Sequence, residues 1–321
     1  MRDRRPLDKT FLTIVSRWIG VISALFLTAF PLSPVAQTSG GKIVVASKID
    51  TEGALLGNII LRLIEAQGFP VENKLQLGPT NIVRAAMLAG QVDIYPEYTG
   101  NGALFFHLED DPGWKNWASG YKLVEVLCRE KNRLVWLTPS PANNTWVIAV
   151  RKDLAERRHL ASMEDFANFV ATGGRIKLAA SAEFVESPAA LPAFEATYGF
   201  HLSDEQLLTL SGGNTAATLR AAAEEMSGVN AAMAYGTDGA LAALGLVALA
   251  DPKGAQIVYA PAPVVREQIL QRHPEIAAAL DPVFATLTLE TLQRLNADIA
   301  VEGQDAGTVA LAYLKSKHFL P

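Results

Sequence analysis

Lys42-Ile-Val-Val-Ala-Ser47 runs directly into Lys48-Ile-Asp50-Thr51-Glu52-Gly-Ala-Leu55, and this junction decides the fold. The first piece is a short apolar run rich in β-branched residues, the composition of a parallel strand buried on both faces. In the second, Asp50 or Thr51 can cap a helix whose stripe is Leu55, Ile59 and Leu63 with Leu56, Ile60 and Ile64, and Gly68 stops it. Leu75-Gln-Leu77 predicts a second strand. Thr80 then caps a helix through Ala89 that ends at Gly90, and Val92-Asp-Ile-Tyr95 is a third strand, completing a β-α-β-α-β run.

The alternation continues with different residues. Strands are expected at 134–137, 145–150, 176–179 and 231–235, with helices at 162–172, 188–198, 215–225 and 237–244. Residues 246–249 and 256–261 look extended, and 264–314 are largely helical by periodicity. The pattern predicts an α/β protein with parallel sheets, too long for one sheet and therefore two-lobed. Crossings are expected near 143–146 and 259–263. They divide the chain into a discontinuous first lobe (42–144 with 260–321) and a second lobe (145–259), with a ligand in the cleft at the carboxyl ends of the strands.

Composition narrows the partners. Half of the 321 residues are hydrophobic and 19% are charged, enough to bury substantial cores. The first 36 residues hold five of the 28 Lys and Arg and two of the 33 Asp and Glu, so the rest of the chain carries a net charge of -8. Such a body offers no basic footprint for nucleic acid. The N-terminus itself reads as a signal peptide: a basic stretch to Arg17, an apolar run from Trp18 to Phe30, and expected cleavage after Ala36. That run is shorter than the roughly 20 residues a membrane span needs, so the expected location is the periplasm. Cys128 is the sole cysteine, which leaves no internal disulfide and reads as a buried thiol.

Enzyme chemistry finds little purchase. The five histidines, His107, His159, His201, His273 and His318, are scattered without metal-site spacing, and no Gly-x-Ser-x-Gly elbow or phosphate-binding Gly-x-x-x-x-Gly-Lys occurs. Ser211-Gly-Gly213 is best explained as a turn before a helix capped near Asn214. No catalytic residue, metal or cofactor is therefore assigned. The informative residues fall at strand ends. In Tyr95-Pro-Glu-Tyr98-Thr-Gly-Asn101, Pro96 and Gly100 are expected to stop the strand and expose a loop from which Tyr98 and Asn101 face the cleft. Lys48 ends the first strand, Trp146 sits at the first crossing, Tyr235 ends a strand, and Tyr259 sits at the second crossing. Glu97 and Asp238 are expected in turn and cap roles.

At these positions the sequence resembles the glycine betaine, choline and proline betaine binding components of osmoprotectant ABC transporters. The matching pieces are Ala46-Ser-Lys48-Ile-Asp-Thr-Glu52, Asp93-Ile-Tyr-Pro-Glu-Tyr-Thr-Gly100, Asn143-Asn-Thr-Trp-Val-Ile-Ala-Val150, Glu183-Phe184 and Ala234-Tyr-Gly-Thr-Asp238. The resemblance implies a type II periplasmic binding protein fold that delivers a quaternary-ammonium ligand to a membrane permease. It also implies an aromatic cage of Tyr98, Trp146, Tyr235 and Tyr259, with Lys48 and Asn101 as donors to the ligand's carboxylate. A quaternary ammonium has no N–H to donate, so ring faces hold it, each contributing about 0.5–2 kcal/mol when desolvated. Where the family carries an arginine, this chain has Ser187, which cannot make the bidentate carboxylate contact, so weaker betaine binding is expected. The alternatives are a binding protein for another small cation or amino-acid-like solute, a periplasmic sensor, or an enzyme.

Overall fold

The computed structural model describes residues 41–210 and 215–321. The expected signal peptide, its Ala36 boundary and the Ser211–Asn214 turn lie outside the described residues. Among these, ten strands form two five-stranded sheets. The first contains β1 (Ile43–Lys48), β2 (Val71–Gly78), β3 (Ile94–Tyr98), β4 (Leu134–Trp136) and β10 (Pro261–Arg266), in the order β2-β1-β3-β10-β4. The second contains β5 (Trp146–Arg151), β6 (Leu178–Ser181), β7 (Leu207–Leu210), β8 (Ala231–Tyr235) and β9 (Leu246–Ala248), in the order β7-β6-β8-β5-β9.

The two sheets share one plan. In each, three parallel strands are followed by one antiparallel strand: β10 runs against β3 and β4, and β5 against β8 and β9. The expectation of purely parallel sheets is corrected accordingly. The antiparallel strands are the ones the chain enters immediately after crossing between sheets, so they arrive from the opposite end.

Both faces of each sheet are covered, which explains why the strands read as apolar runs. Ile43 and Val45 pack with Leu55 and Ile59 of the helix Thr51–Ala66, while Ala46 joins Val83, Met87, Tyr95 and Trp114 on the other side. The second sheet is covered by Phe166, Phe184 and Phe194 on one face and by Leu219, Val229 and Leu241 on the other. Full burial of each such side chain contributes about 1.5–3 kcal/mol.

Local details sharpen the sequence expectations. Asp50 is the cap of the first helix, accepting from the Gly53 N–H at 2.7 Å, whereas Thr80 begins its helix after Pro79 without a side-chain cap. The stretch 256–260 is not a strand. The strand begins instead at Pro261, carries Pro261 and Pro263 within it and extends to Arg266, so the C-terminal helices start only at Glu267. The helix Trp117–Asn132 and strand β7 were not anticipated from the sequence.

Pro96 does not end its strand. β3 continues through it to Tyr98, with every residue buried. Pro96 lies opposite Pro263, and Tyr98 opposite Pro261. Two facing prolines cannot exchange N–H bonds, so this is a non-hydrogen-bonded pair that loses nothing by their presence. The carbonyls of Pro261 and Pro263 still accept from Ser140 (2.8 Å) and Leu137 (2.9 Å) on the β4 side.

Candidate functional site

Between the sheets lies a cavity of about 840 Å³, lined from both lobes. Its aromatic wall follows from strand register. Tyr98 ends β3 opposite Pro261, the first residue of β10; Tyr235 ends β8 opposite Trp146, the first residue of β5. The repeated sheet plan thus delivers Tyr98 and Tyr235 to equivalent strand ends, with Trp146 directly across the ladder from Tyr235. Tyr259 enters from the second crossing. A Cβ on Gly100 would lie 2.8 Å from the Tyr259 ring, so a side chain at position 100 would displace it. Burial pushes the hydroxyls of Tyr98, Tyr235 and Tyr259 above the ordinary phenol value, which keeps the rings neutral.

Of the residues singled out in the sequence, Lys48, Tyr98, Asn101, Trp146, Tyr235 and Tyr259 line this cavity and Ser187 does not. Ser187 follows the short helix Ala182–Glu186, and its Oγ accepts from the Ala189 N–H at 3.4 Å. Glu183, one turn earlier, lines the cavity.

Lys48 is less free than a lone donor. Its Nζ is 2.5 Å from Glu97 Oε1 and 4.3 Å from the centroid of the Tyr98 ring. Glu97 is no turn residue, contrary to expectation. It is a fully buried member of β3 whose carboxylate also accepts from Asn101 Nδ2 (2.7 Å), the Tyr98 N–H (2.8 Å) and the Tyr95 hydroxyl (3.3 Å). Asp238 does serve its turn, accepting from the Tyr235 N–H at 2.8 Å.

A second carboxylate, Glu52, has no role legible in the sequence. It is buried at the start of the first helix. Its Oε1 accepts from the Tyr98 hydroxyl (2.8 Å) and Asn144 Nδ2 (3.2 Å), and its Oε2 from Asn296 Nδ2 (2.7 Å). Burial raises its pKa to about 7, outweighing the hydrogen bonds that lower it. An acid in a first helical turn passes for a partner of the helix dipole, which hides this role in the sequence. Asn296 gives no local signal at all, since the fold brings it in from the helix Leu289–Ala300.

The lobes also touch beside the cavity. Asn296 Nδ2 donates to the Thr237 carbonyl (2.9 Å) and Gln293 Nε2 to the Gly236 carbonyl (2.7 Å). Gly239 lies so close to the helix that a Cβ there would be 2.1 Å from the Ala297 nitrogen. The crossings are tied as well: Asn143 Oδ1 accepts from the Tyr259 N–H (2.8 Å), the Tyr259 carbonyl accepts from the Asn144 N–H (3.0 Å), and Thr145 Oγ1 donates to the Ile257 carbonyl (2.8 Å).

Comparison with known proteins gives the family. Residues 41–316 match the family described as the substrate-binding domain of ABC-type glycine betaine transport systems. The glycine betaine-binding protein YehZ of Escherichia coli K12 is 57% identical over 304 residues, covering 95% of this chain and 98% of that one. A glycine-betaine-binding protein of Pseudomonas aeruginosa is 31% identical over 306 residues, covering 94% and 96%. The structure of apo YehZ superposes with a TM-score of 0.81 at 60% identity, covering 87% of this chain and all of that one. A glycine betaine/carnitine/choline ABC transporter structure at 21% identity shares the fold, with a TM-score of 0.76. With two mixed sheets facing across a cavity, and a family match over nearly the whole described chain, this protein belongs to the substrate-binding domains of ABC-type glycine betaine transport systems.

Proposed function

We propose that this chain captures a quaternary-ammonium osmolyte of the glycine betaine type between its lobes and passes it to the permease of an ABC importer, catalysing no reaction. The observation that carries the reading is the convergence of Tyr98, Trp146, Tyr235 and Tyr259 on one cavity from two sheets and a crossing. Tyr98 and Tyr259 lie on the side of the first lobe and the crossing, Trp146 and Tyr235 on the second lobe. A trimethylammonium group in contact with both sets stabilises the closed arrangement by its differential affinity for it. Lys48 and Asn101 are the donors for a ligand carboxylate, and the absence of a long cationic side chain at Ser187 lowers betaine affinity. The same reading divides the lobes at 144/145 and 259/260, places the bending at the crossings, and has residues 1–36 direct export to the periplasm.

Titration calorimetry of the protein lacking residues 1–36 with glycine betaine, choline and proline betaine tests this. Saturable binding that Tyr98→Ala weakens about 100-fold is expected. Absence of heat with all three ligands would overturn the reading.

A further inference from the structure

The charge lining the cavity is lopsided. Lys48 is the one Lys or Arg in the wall among the described residues, and it is paired with Glu97, while Asp50, Glu52, Glu183 and Asp238 all contribute carboxylates. Glu52 is the buried one of these four, and its hydrogen-bond donors are side chains converging from three separate elements: a phenol from β3, an amide from the crossing and an amide from the helix Leu289–Ala300. None of those donors carries a charge. A buried carboxylate held only by neutral donors lacks a countercharge. The Tyr98 hydroxyl links it to the ring face that the ligand's cation meets, and donating to a carboxylate increases the electron density of that ring.

We propose, building on the function proposed above, that Glu52 is a specificity-determining positioning residue: acting through the Tyr98 hydroxyl, it makes the cavity favour a quaternary ammonium with net positive charge over a zwitterion. The groups acting on Glu52 are Asp50 from its own helix cap, Tyr98, Asn144, Thr237 and Asn296, while Lys48 lines the same cavity paired with Glu97, and Asp238 lies next to Thr237. Its pKa of about 7 follows from burial, with Asp50 adding to the rise. A cation entering the cavity favours the ionised carboxylate, so it binds more tightly as pH rises and releases a proton near neutrality. A betaine brings its own carboxylate to the Lys48 side, and this coupling is smaller.

The test is calorimetry with choline and glycine betaine between pH 6 and pH 8, in buffers of differing ionisation enthalpy, on the parent protein, Glu52→Gln and Tyr98→Phe. For the parent, the choline Kd falls about tenfold from pH 6 to pH 8, as expected for one group titrating near the middle of that range, with net proton release. Glycine betaine responds less. Glu52→Gln flattens the choline profile, abolishes proton release and narrows the preference for choline; Tyr98→Phe narrows it while leaving a ring in place. Unchanged pH dependence in Glu52→Gln, or equal loss for both ligands, overturns the proposal while leaving the function intact. Should Glu52→Gln fail to fold, Tyr98→Phe decides: an unchanged choline preference overturns the proposal. Absence of binding of either ligand to the parent at any pH overturns the function and the proposal together.

Discussion

The two lobes use the same strand order but finish their strands differently. In the first, the ends of β1 and β3 carry Lys48, Glu97 and Tyr98, knitted to Glu52 and Asn101 by short hydrogen bonds and an ion pair. In the second, the equivalent end of β6 carries Ser181, whose hydroxyl meets Met233 Sδ and the Phe184 N–H, and β5 and β8 supply Trp146 and Tyr235. Trp146 rests edge-on against Phe184, with ring centroids 5.9 Å apart. One lobe therefore presents a wall preorganised around the Lys48–Glu97 ion pair, the other an aromatic wall flanked by the carboxylates of Glu183 and Asp238. Duplicated architecture fixes where side chains arrive; the residue at each strand end decides whether that half reads charge or shape.

That contrast is sharpened most by removing the buried charge. Glu52 has its pKa raised from 4.5 to about 7. The unfolded chain therefore loses this proton at lower pH than the folded one, and stability falls as pH rises through that window. Glu52→Gln, neutral throughout, gains stability relative to the parent up to a plateau of about 3 kcal/mol above pH 7. Chemical denaturation at pH 5 and pH 8 measures it, and a pH-independent difference would remove Glu52 as the source.

Ligand affinity ranks next. Tyr98→Ala removes a ring face and a donor to a buried carboxylate, and is expected to weaken binding about 100-fold. Trp146→Ala, on the aromatic lobe, removes a face without orphaning a charge and is expected to cost about tenfold. Equal losses in calorimetry would mean that the two walls are not functionally different. The smallest effect expected is a gain. Ser187→Arg supplies the second lobe with a charged fork, improving glycine betaine by several-fold and up to about tenfold while leaving choline unimproved. An equal gain for both ligands would show the arginine acting on lobe closure instead.

How far the sequence revealed this site depended on the range of the forces involved. β1 and β8 were legible because each is a β-branched or apolar run closed by a polar or aromatic residue, Lys48 and Tyr235, that lines the cavity, whereas β3 was read only as far as Tyr95 because Pro96 looks like a strand stop. The helix Trp117–Asn132 escaped because Val124 and Cys128 are its few buried side chains amid Lys122, Glu125, Arg129 and Lys131, leaving too thin a stripe. β10 was displaced in register because its prolines resemble a linker, and only the facing β3 shows that they sit at positions needing no N–H there. Glu97 looked like a turn residue because Pro96 and Gly100 flank its strand end. The Glu52–Asn296 pair spans 244 residues and has no local signature.

The tie between the crossings has a consequence for motion. Asn143, Asn144 and Thr145 on one strap are fastened to Ile257 and Tyr259 on the other. Two independent straps would let the halves slide and twist past each other; two fastened straps resist shear and leave bending as the soft coordinate. Tyr259 belongs to that fastening and also to the cavity wall, so whatever presses on its ring pushes directly on the joint.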